Sequence, residues 1–368
     1  MRTPHPSRTA LAVSSALMLL CAAHASAADI AALPEIHVKE LGKQTASNYT
    51  IPASSAATGI KLTQRETPQS LSVITAKQIE DQGLDSLQDV LKQTPGVFHS
   101  KMGNNVSGHS QFISRSQAID SISVDGAPKF LYEGKAIRRS TNNLDSTLYD
   151  QVVVVRGASG LSNGGMGEPG GTVALERKKP TAKPAVSVEA GVGSWKHYRF
   201  VLDANQPLNA DNTLRGRTIL VSDHGGDYLP NTSRHNHTFY GILSYDIAPQ
   251  TQWNIGTEIH RFRNKGSSRF SYLTAAGNKK NGFIPFEASP RSNSSAKWAY
   301  GKDTSAEVFT SLSHEFDNGW KLTGNYSYLT GKSDIVSGIA GTYEIDTDYS
   351  ALFTSDRDAA NTATRIFP

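Results

Sequence analysis

From Lys183 onward the chain repeats one pattern: short segments in which apolar and polar residues alternate. Val186, Val188, Ala190 and Val192 alternate with Ser187, Glu189, Gly191 and Gly193; Trp253, Ile255 and Ile259 with Asn254, Gly256, Glu258 and His260; and Leu322, Tyr326 and Tyr328 with Lys321, Thr323, Asn325 and Ser327. A period of two belongs to a β-strand whose two faces meet different surroundings. The connections alternate as well. Asn209–Asn212, Pro249-Gln250 and Asp317–Gly319 read as tight turns, whereas His224–His235, about Asn264–Asp303 and about Gly331–Thr342 read as long polar loops. Short turns at one end, long loops at the other, and Tyr and Trp near strand ends describe an antiparallel transmembrane β-barrel. A soluble secreted β-rich ligand-binding protein would alternate too, but gives no reason for the loops to be long at one end only.

The start of the chain bears on the compartment. Arg2 and Arg8 form a positive segment, Ala10–Cys21 an apolar one, and Ala25-Ser26-Ala27 a cleavage site, which together predict a secretory signal peptide over residues 1–27. The apolar run is too short to span a membrane, and bulky Leu20 before Cys21 argues against a lipoprotein signal. Cleavage near Ala27 would remove the single cysteine, excluding disulfide and thiol chemistry from the mature protein. It would also lower the formal charge from +4 to about +2, which is no nucleic-acid footprint. No later apolar run has the length of a membrane helix, so an exported membrane protein of this composition enters the bilayer as a barrel.

Residues 28–65 are small and polar and predict a flexible tail. Within it, Leu33–Glu40 alone has strand-like alternation, with Ile36 and Val38 on one side, and such an island can add a strand to a partner's sheet. Residues 66–183 have the composition of a compact α/β domain of about one ordinary core. Leu71–Ile74 reads as a strand, Thr75 with Gln78 as a capping box, Gly83 as a helix stop, Asp85 as the cap of a second helix, and Ser121–Asp125, Gln151–Val155 and Thr172–Leu175 as further strands. Residues 184–368 carry the alternating strands.

The chemical motifs are weak. Gly165, Gly167 and Gly170 spell G-x-G-x-x-G, but Pro169 interrupts the loop and a strand follows where a dinucleotide site needs a helix N-terminus. His235-Asn236-His237 invites a metal or nuclease reading, yet has no cysteine or carboxylate at ligand spacing and reads as a solvated loop. No catalytic constellation stands out, so no enzyme is expected. Lys129, Tyr132, Lys135, Arg138 and Arg139 form a cationic loop after Asp125-Gly126 that would attract an anionic ligand if it faced a vestibule.

Several segments in order resemble the TonB-dependent outer-membrane receptors, in their ferric-siderophore branch: ETPQSLSVIT (66–75), GLDSLQDVLKQTPGV (83–97), SISVDGAP (121–128), LYDQVVVVRGASGL with EPGGTV and RKKPT (148–181), and ANQPLN (204–209). The resemblance implies an α+β plug domain over residues 66–183, followed by an antiparallel transmembrane β-barrel. It places the TonB box near residues 33–40, at Glu35, Ile36, His37 and Val38. It implies active transport of iron as a ferric-siderophore complex, with no cofactor or metal bound directly. The partners would be TonB with its inner-membrane energising complex, the ferric siderophore and outer-membrane lipid, in the cell outer membrane of a Gram-negative bacterium. Lys129, Tyr132, Lys135, Arg138 and Arg139 become candidate ligand contacts at the plug apex. Arg115, Asp125, Gly126, Arg156, Gly157, Gly170 and Gly171 become structural plug residues, and the two arginines match positions that in the family tend to pair with barrel carboxylates.

The departures are also informative. Ser114-Arg115-Ser116-Gln117 and Ser162–Glu168 are atypical of the family, and the tail is too short for a periplasmic signalling domain, so transport without direct sigma-factor signalling is expected. About eight strands are expected here against twenty-two in the family's barrel, and a barrel of about eight is filled by its own side chains. An N-terminal fragment of a receptor is therefore expected. A heme or cobalamin receptor of the same fold is the alternative within the class.

Overall fold

The computed structural model describes residues 49–365 except 52, 58–61, 103–108, 120, 130–143, 158–168, 267–296 and 342–351. The leader, Glu35–Val38, Tyr132, Lys135, Arg138 and Arg139 lie outside the described residues.

The first domain begins with β1 (Ser70–Thr75), α1 (Ala76–Asp81) and α2 (Leu87–Gln93). There follow β2 (Phe98–Met102), β3 (His109–Ser114), β4 (Gln117–Ala118), β5 (Ser121–Val124), β6 (Ala127–Pro128), β7 (Tyr149–Arg156) and β8 (Gly171–Arg177). One sheet has the order β1-β7-β8-β5-β6 and a smaller one β2-β3-β4. The Val run explains why β7 lies inside its sheet. Val152 and Val154 pack with Leu87, Val90 and Leu148 on one face, while Val153 and Val155 pack with Ala57 and Ala174 on the other. Such burial on both faces is what a continuous β-branched run suits. Ala57 falls in the stretch expected to be a free tail; it is instead buried on this sheet, because a small apolar side chain there covers the outer Val face.

Both helices have oxygen caps. The Gln78 N–H donates to Thr75 Oγ1 at 3.3 Å, and Gly83, at φ 60°, ends α1. Asp85 does not cap α2, contrary to the sequence expectation. Ser86 holds the cap, accepting from the Asp89 N–H at 3.2 Å, and the Asp85 carboxylate turns to the large sheet.

That sheet contains β9 (Ala185–Gly193), β10 (His197–Pro207), β11 (Leu214–Gly225), β12 (Ser233–Ala248), β13 (Thr251–Lys265), β14 (Tyr300–Glu315), β15 (Lys321–Gly341) and β16 (Leu352–Arg365). Each is antiparallel to the next, and the sheet is open, with β9 and β16 at its edges. The tight turns fall where the sequence puts them, before β11, β13 and β15. Two long-loop expectations need correction. His224 pairs with His235, and residues 331–341 continue β15, Val336 opposite Tyr300 and Ser337 opposite Asp356. These polar strand ends look like loop by composition, but pairing with neighbouring strands satisfies their backbone groups.

The faces of this sheet are inverted relative to a soluble protein. Arg199, Asp203, Asn205, Asp223, Asn254, Glu258 and Glu307 are buried toward the first domain, whereas Val186 and Val192, on the other face, are 71% and 84% exposed. Val201, Ile219, Tyr240 and Phe309 alternate among the inward residues and share one core with Leu87, Val90 and Leu148.

Gly170 and Gly171 start β8 under tight constraint. A Cβ on Gly170 would overlap the carbonyl oxygens of Gln117 and Ala118; Gly171 combines φ 134° with a similar overlap at the Val155 carbonyl. Gly171→Ala should cost about 2–3 kcal/mol. Gly126→Ala, at φ 83° in open space, should cost only about 1 kcal/mol. The readout is the urea midpoint at which trypsin begins to cut within residues 66–183.

Candidate functional site

The contact between the two domains is charged, and it begins at a tight turn. Asp125 and Gly126 join β5 to β6 with φ 51° and 83°, the left-handed pair that a two-residue hairpin favours. This turn presents the Asp125 carboxylate to Arg177, the last residue of β8, which donates its backbone N–H at 3.0 Å and Nη1 at 3.2 Å. Lys129, just past β6, is buried beside it.

Glu258 on β13 and Glu307 on β14 stand directly opposite each other. Two carboxylates abreast repel, and two cations from the first domain compensate them. Lys129 Nζ lies 3.2 Å from Glu258 Oε2 and 3.1 Å from Glu307 Oε2. Arg177 Nη2 lies 3.5 and 2.9 Å from the same two oxygens, and its guanidinium sits 4.0 Å over the Phe309 ring. Burial opposes the Lys129 charge, but Glu258 and Glu307 outweigh it and hold the ammonium above its ordinary range. The Arg177 guanidinium is likewise held up by Glu307 and Glu258 against its burial.

Two further clusters flank this centre. Toward the long-loop end, Arg199 on β10 makes a bidentate pair with Asp145 at 2.8 and 3.0 Å and reaches Asp85 at 3.1 Å and Asp223 at 3.5 Å. Asp223 is also met by His197 at 3.1 Å and Arg234 at 3.2 Å. Burial, and then the charges of Asp145, Asp223 and Glu189, push Asp85 up to about 6 in spite of Arg199. Toward the tight-turn end, Arg217 grips Asp203 at 2.8 and 2.7 Å, with Lys178 at 3.4 Å. Asn205 accepts from the Thr181 N–H at 2.7 Å and donates to the Lys183 carbonyl at 2.7 Å. Residues 178–183, which lead out of β8, are thus tied to the sheet along their length.

The predicted site residues fall in different places. Lys129 is the one described member of the cationic loop; its side chain is 6% exposed and balanced by two carboxylates of the large sheet. Among the described residues, Arg115 and Arg156 meet no barrel-side carboxylate; Arg115 donates to Ser70 Oγ at 3.1 Å and Arg156 to the Pro95 carbonyl, so both hold the first domain to itself. Gly157 passes close to the Arg115 guanidinium. His235 and His237 lie on β12 rather than in a loop, and among the described residues no group of three or more His, Cys, Asp or Glu is arranged to hold a metal. Arg177, Arg199, Glu258 and Glu307 went unnoticed in the sequence. The available signal was two acids in the middle of amphipathic strands, each on the polar face.

The comparisons with known proteins fit this geometry. Residues 63–172 match the TonB-dependent Receptor Plug Domain. The ferripyoverdine receptor of Pseudomonas aeruginosa is 33% identical over 282 residues, covering 75% of this chain and 33% of the relative. The chain belongs to the TonB-dependent receptors. The ferric-pyoverdine 358 receptor of Pseudomonas putida is 30% identical, covering 82% of this chain and 36% of the relative, so the chain spans about a third of the length of these curated relatives. The crystal structure of the Pseudomonas aeruginosa outer-membrane ferripyoverdine receptor bound to ferripyoverdine superposes with a TM-score of 0.75 at 29% identity, over 84% of this chain and 40% of that one. The alcaligin outer-membrane receptor of Bordetella pertussis superposes at 0.64 with 30% identity, over 80% and 46%. The first domain is accordingly the receptor's plug, and the large sheet matches part of the receptor barrels.

Two outcomes follow for this receptor. Glu258→Gln with Glu307→Gln leaves buried Lys129 without a carboxylate and Arg177 with Asp125 alone; it should loosen the plug by about 3–5 kcal/mol, and adding Lys129→Met should recover part of that loss. The urea midpoint for tryptic attack on the plug measures both. An acid whose folded pKa is raised opposes folding when ionised, so plug stability should rise as pH falls from 7 through about 6. Asp85→Asn should flatten that rise in the same assay.

Proposed function

We propose that this receptor imports ferric siderophores across the outer membrane of a Gram-negative bacterium, using energy delivered by TonB. The observation that carries the reading is the polar seam between plug and strand wall, centred on Lys129, Arg177, Glu258 and Glu307. Desolvated ion pairs are close to neutral in net stability against an apolar seal, yet water and ions can take over either half when the seam opens. A seam of this kind suits a plug that has to move and return.

In this reading the leader is removed near Ala27, and loops at the long-loop end, with Tyr132, Lys135, Arg138 and Arg139, capture an anionic ferric complex. Iron is cargo, and no step is catalytic. The Glu35–Val38 segment pairs with TonB in the periplasm. Tension then reaches β1, which among the described residues is an edge strand paired with β7 on one side. The 178–183 segment, tied to Asn205 and Arg217, anchors the opposite end of the plug. Force applied between the two would open the plug at its N-terminal side first. The relatives named for ferripyoverdine support ranking pyoverdine-type complexes first among ligands.

Ile36→Pro removes a strand donor from the TonB-pairing segment. With radio-iron pyoverdine as ligand, cells making the variant in the complete receptor should bind iron at the surface as the parent does but accumulate none. Uptake equal to the parent's would overturn the TonB-box assignment.

A further inference from the structure

On the outward face of the large sheet, toward its long-loop end, His224 of β11 stands directly opposite His235 of β12. The two Nδ1 atoms lie 2.7 Å apart, with ring centroids 4.0 Å apart and planes inclined at 59°. Both rings are half-buried. Within the His235-Asn236-His237 motif itself no second ligand faces His235, because Asn236 shares the inward face with buried Thr238 and Tyr240 and His237 is turned to Ser222. The strand register supplies one from β11.

The other imidazoles of this sheet show what is unusual here. His237 pairs with Ser222 Oγ at 3.2 Å, His260 with Thr238 Oγ1 at 3.1 Å and His314 with Thr251 Oγ1 at 2.8 Å. A hydroxyl suits either tautomer, since it both donates and accepts. At His224 and His235 two ring nitrogens meet instead, and only one can carry a proton: the Nδ1–H of one ring donates to the lone pair of the other. That proton occupies the position from which a metal cation would bond to both rings. Bonds of about 2.1 Å to two nitrogens 2.7 Å apart enclose an angle of about 80°. This is near the right angle of square-planar or octahedral coordination and far from the tetrahedral geometry that zinc favours.

The pair is held in place by its neighbours. His224 stacks with Tyr198 of β10, the centroids 6.2 Å apart and the planes at 22°. In the connection from β11 to β12 the Gly226 N–H donates to the Trp195 carbonyl at 3.0 Å, and the Thr232 hydroxyl to the Leu229 carbonyl at 2.7 Å. Ligands fixed before a cation arrives lose little freedom when they bind it. The surroundings are themselves cationic. Arg263 and Arg261 stand opposite His235 and His237, Lys265 follows on β13, and all three are exposed. A cation attracted by charge alone is repelled there, whereas one that bonds to nitrogen lone pairs gains what charge does not supply.

We propose that His224 and His235 form a binding site for a divalent transition cation of tetragonal or octahedral preference, Cu2+ before Ni2+, with water completing its coordination. The ring that carried the Nδ1 proton changes to its Nε2–H tautomer, so the two neutral rings release no net proton on binding. The cation ties β11 to β12 on the face away from the plug seam, and the assignment is independent of which complex the receptor imports.

The test takes the complete receptor, extracted from outer membranes in mild detergent and stripped of metal with a chelator. It is titrated with Cu2+, Ni2+, Zn2+ and Mg2+, and electron paramagnetic resonance follows the copper. Bound Cu2+ should show splitting from two imidazole nitrogens, Ni2+ should bind more tightly than Zn2+, and Mg2+ should not compete. H224Q and H235Q should each weaken Cu2+ binding by about tenfold or more, while H237Q stays close to the parent. Splitting from a single nitrogen in the unsubstituted receptor would overturn the proposal whether or not the variants assemble. So would a two-nitrogen signal that persists in H224Q/H235Q, or a loss in H237Q equal to that in H224Q. Zn2+ binding more tightly than Ni2+ would contradict the right-angled coordination.

Discussion

A β-strand sends successive side chains to opposite sides, and in β9–β14 each side meets a different medium. Exposed Val186, Val192 and Leu312 share one face; buried Arg199, Asp203, Glu258 and Glu307 share the other. In water this arrangement would be wrong on both faces. It becomes stable when lipid covers the apolar side and the plug covers the polar side, so the fold of either domain presupposes its neighbour. The mixed core makes the same point, since Val201, Ile219, Tyr240 and Phe309 of the sheet close over Leu87, Val90 and Leu148 of the plug.

Charge makes the dependence specific. Glu258 and Glu307 stand abreast on neighbouring strands, an arrangement that costs energy unless cations arrive from elsewhere. Lys129 and Arg177 supply them, and the Asp125-Gly126 turn orders Arg177 by holding both its backbone and its side chain. At the Arg199 flank the polarity reverses, with the cation on the sheet and the acids on the plug, while at the other flank the plug again brings a cation, Lys178, to Asp203 of the sheet. The plug is therefore held by a pattern of signs and not by apolar area alone. Such a pattern fixes the seating of the plug.

Periodicity and local hydrogen bonding were legible in the sequence. Strands β1, β5, β7 and β8 of the plug, the alternation in β9, β13 and β15, the Thr75 cap, the Gly83 stop and the tight turns need only neighbouring residues for their explanation. Contacts between distant segments were not. Asp85 looked like a cap because a carboxylate before a helix usually is one; Ser86 displaces it because Arg199, 114 positions away, offers the carboxylate a stronger partner. The basic loop around Lys129 gave no sign of its ion pairs, because the acids that neutralise it lie on strands far down the chain. The polar stretch 331–341 looked like loop because pairing with β14 and β16, not composition, makes it a strand. The charge network thus needed the three-dimensional register of the strands before it could be read.

The most direct measurement of this account is a nitroxide scan of β14 from Thr304 to Leu312 in outer membranes, with accessibility to lipid-phase oxygen read by electron paramagnetic resonance. Labels at Ala306, Val308, Thr310 and Leu312 should be accessible to oxygen, and labels at Ser305, Glu307 and Phe309 shielded, giving a strict period of two. Uniform accessibility, or the opposite phase, would contradict a strand wall with lipid on one side and a charged plug on the other.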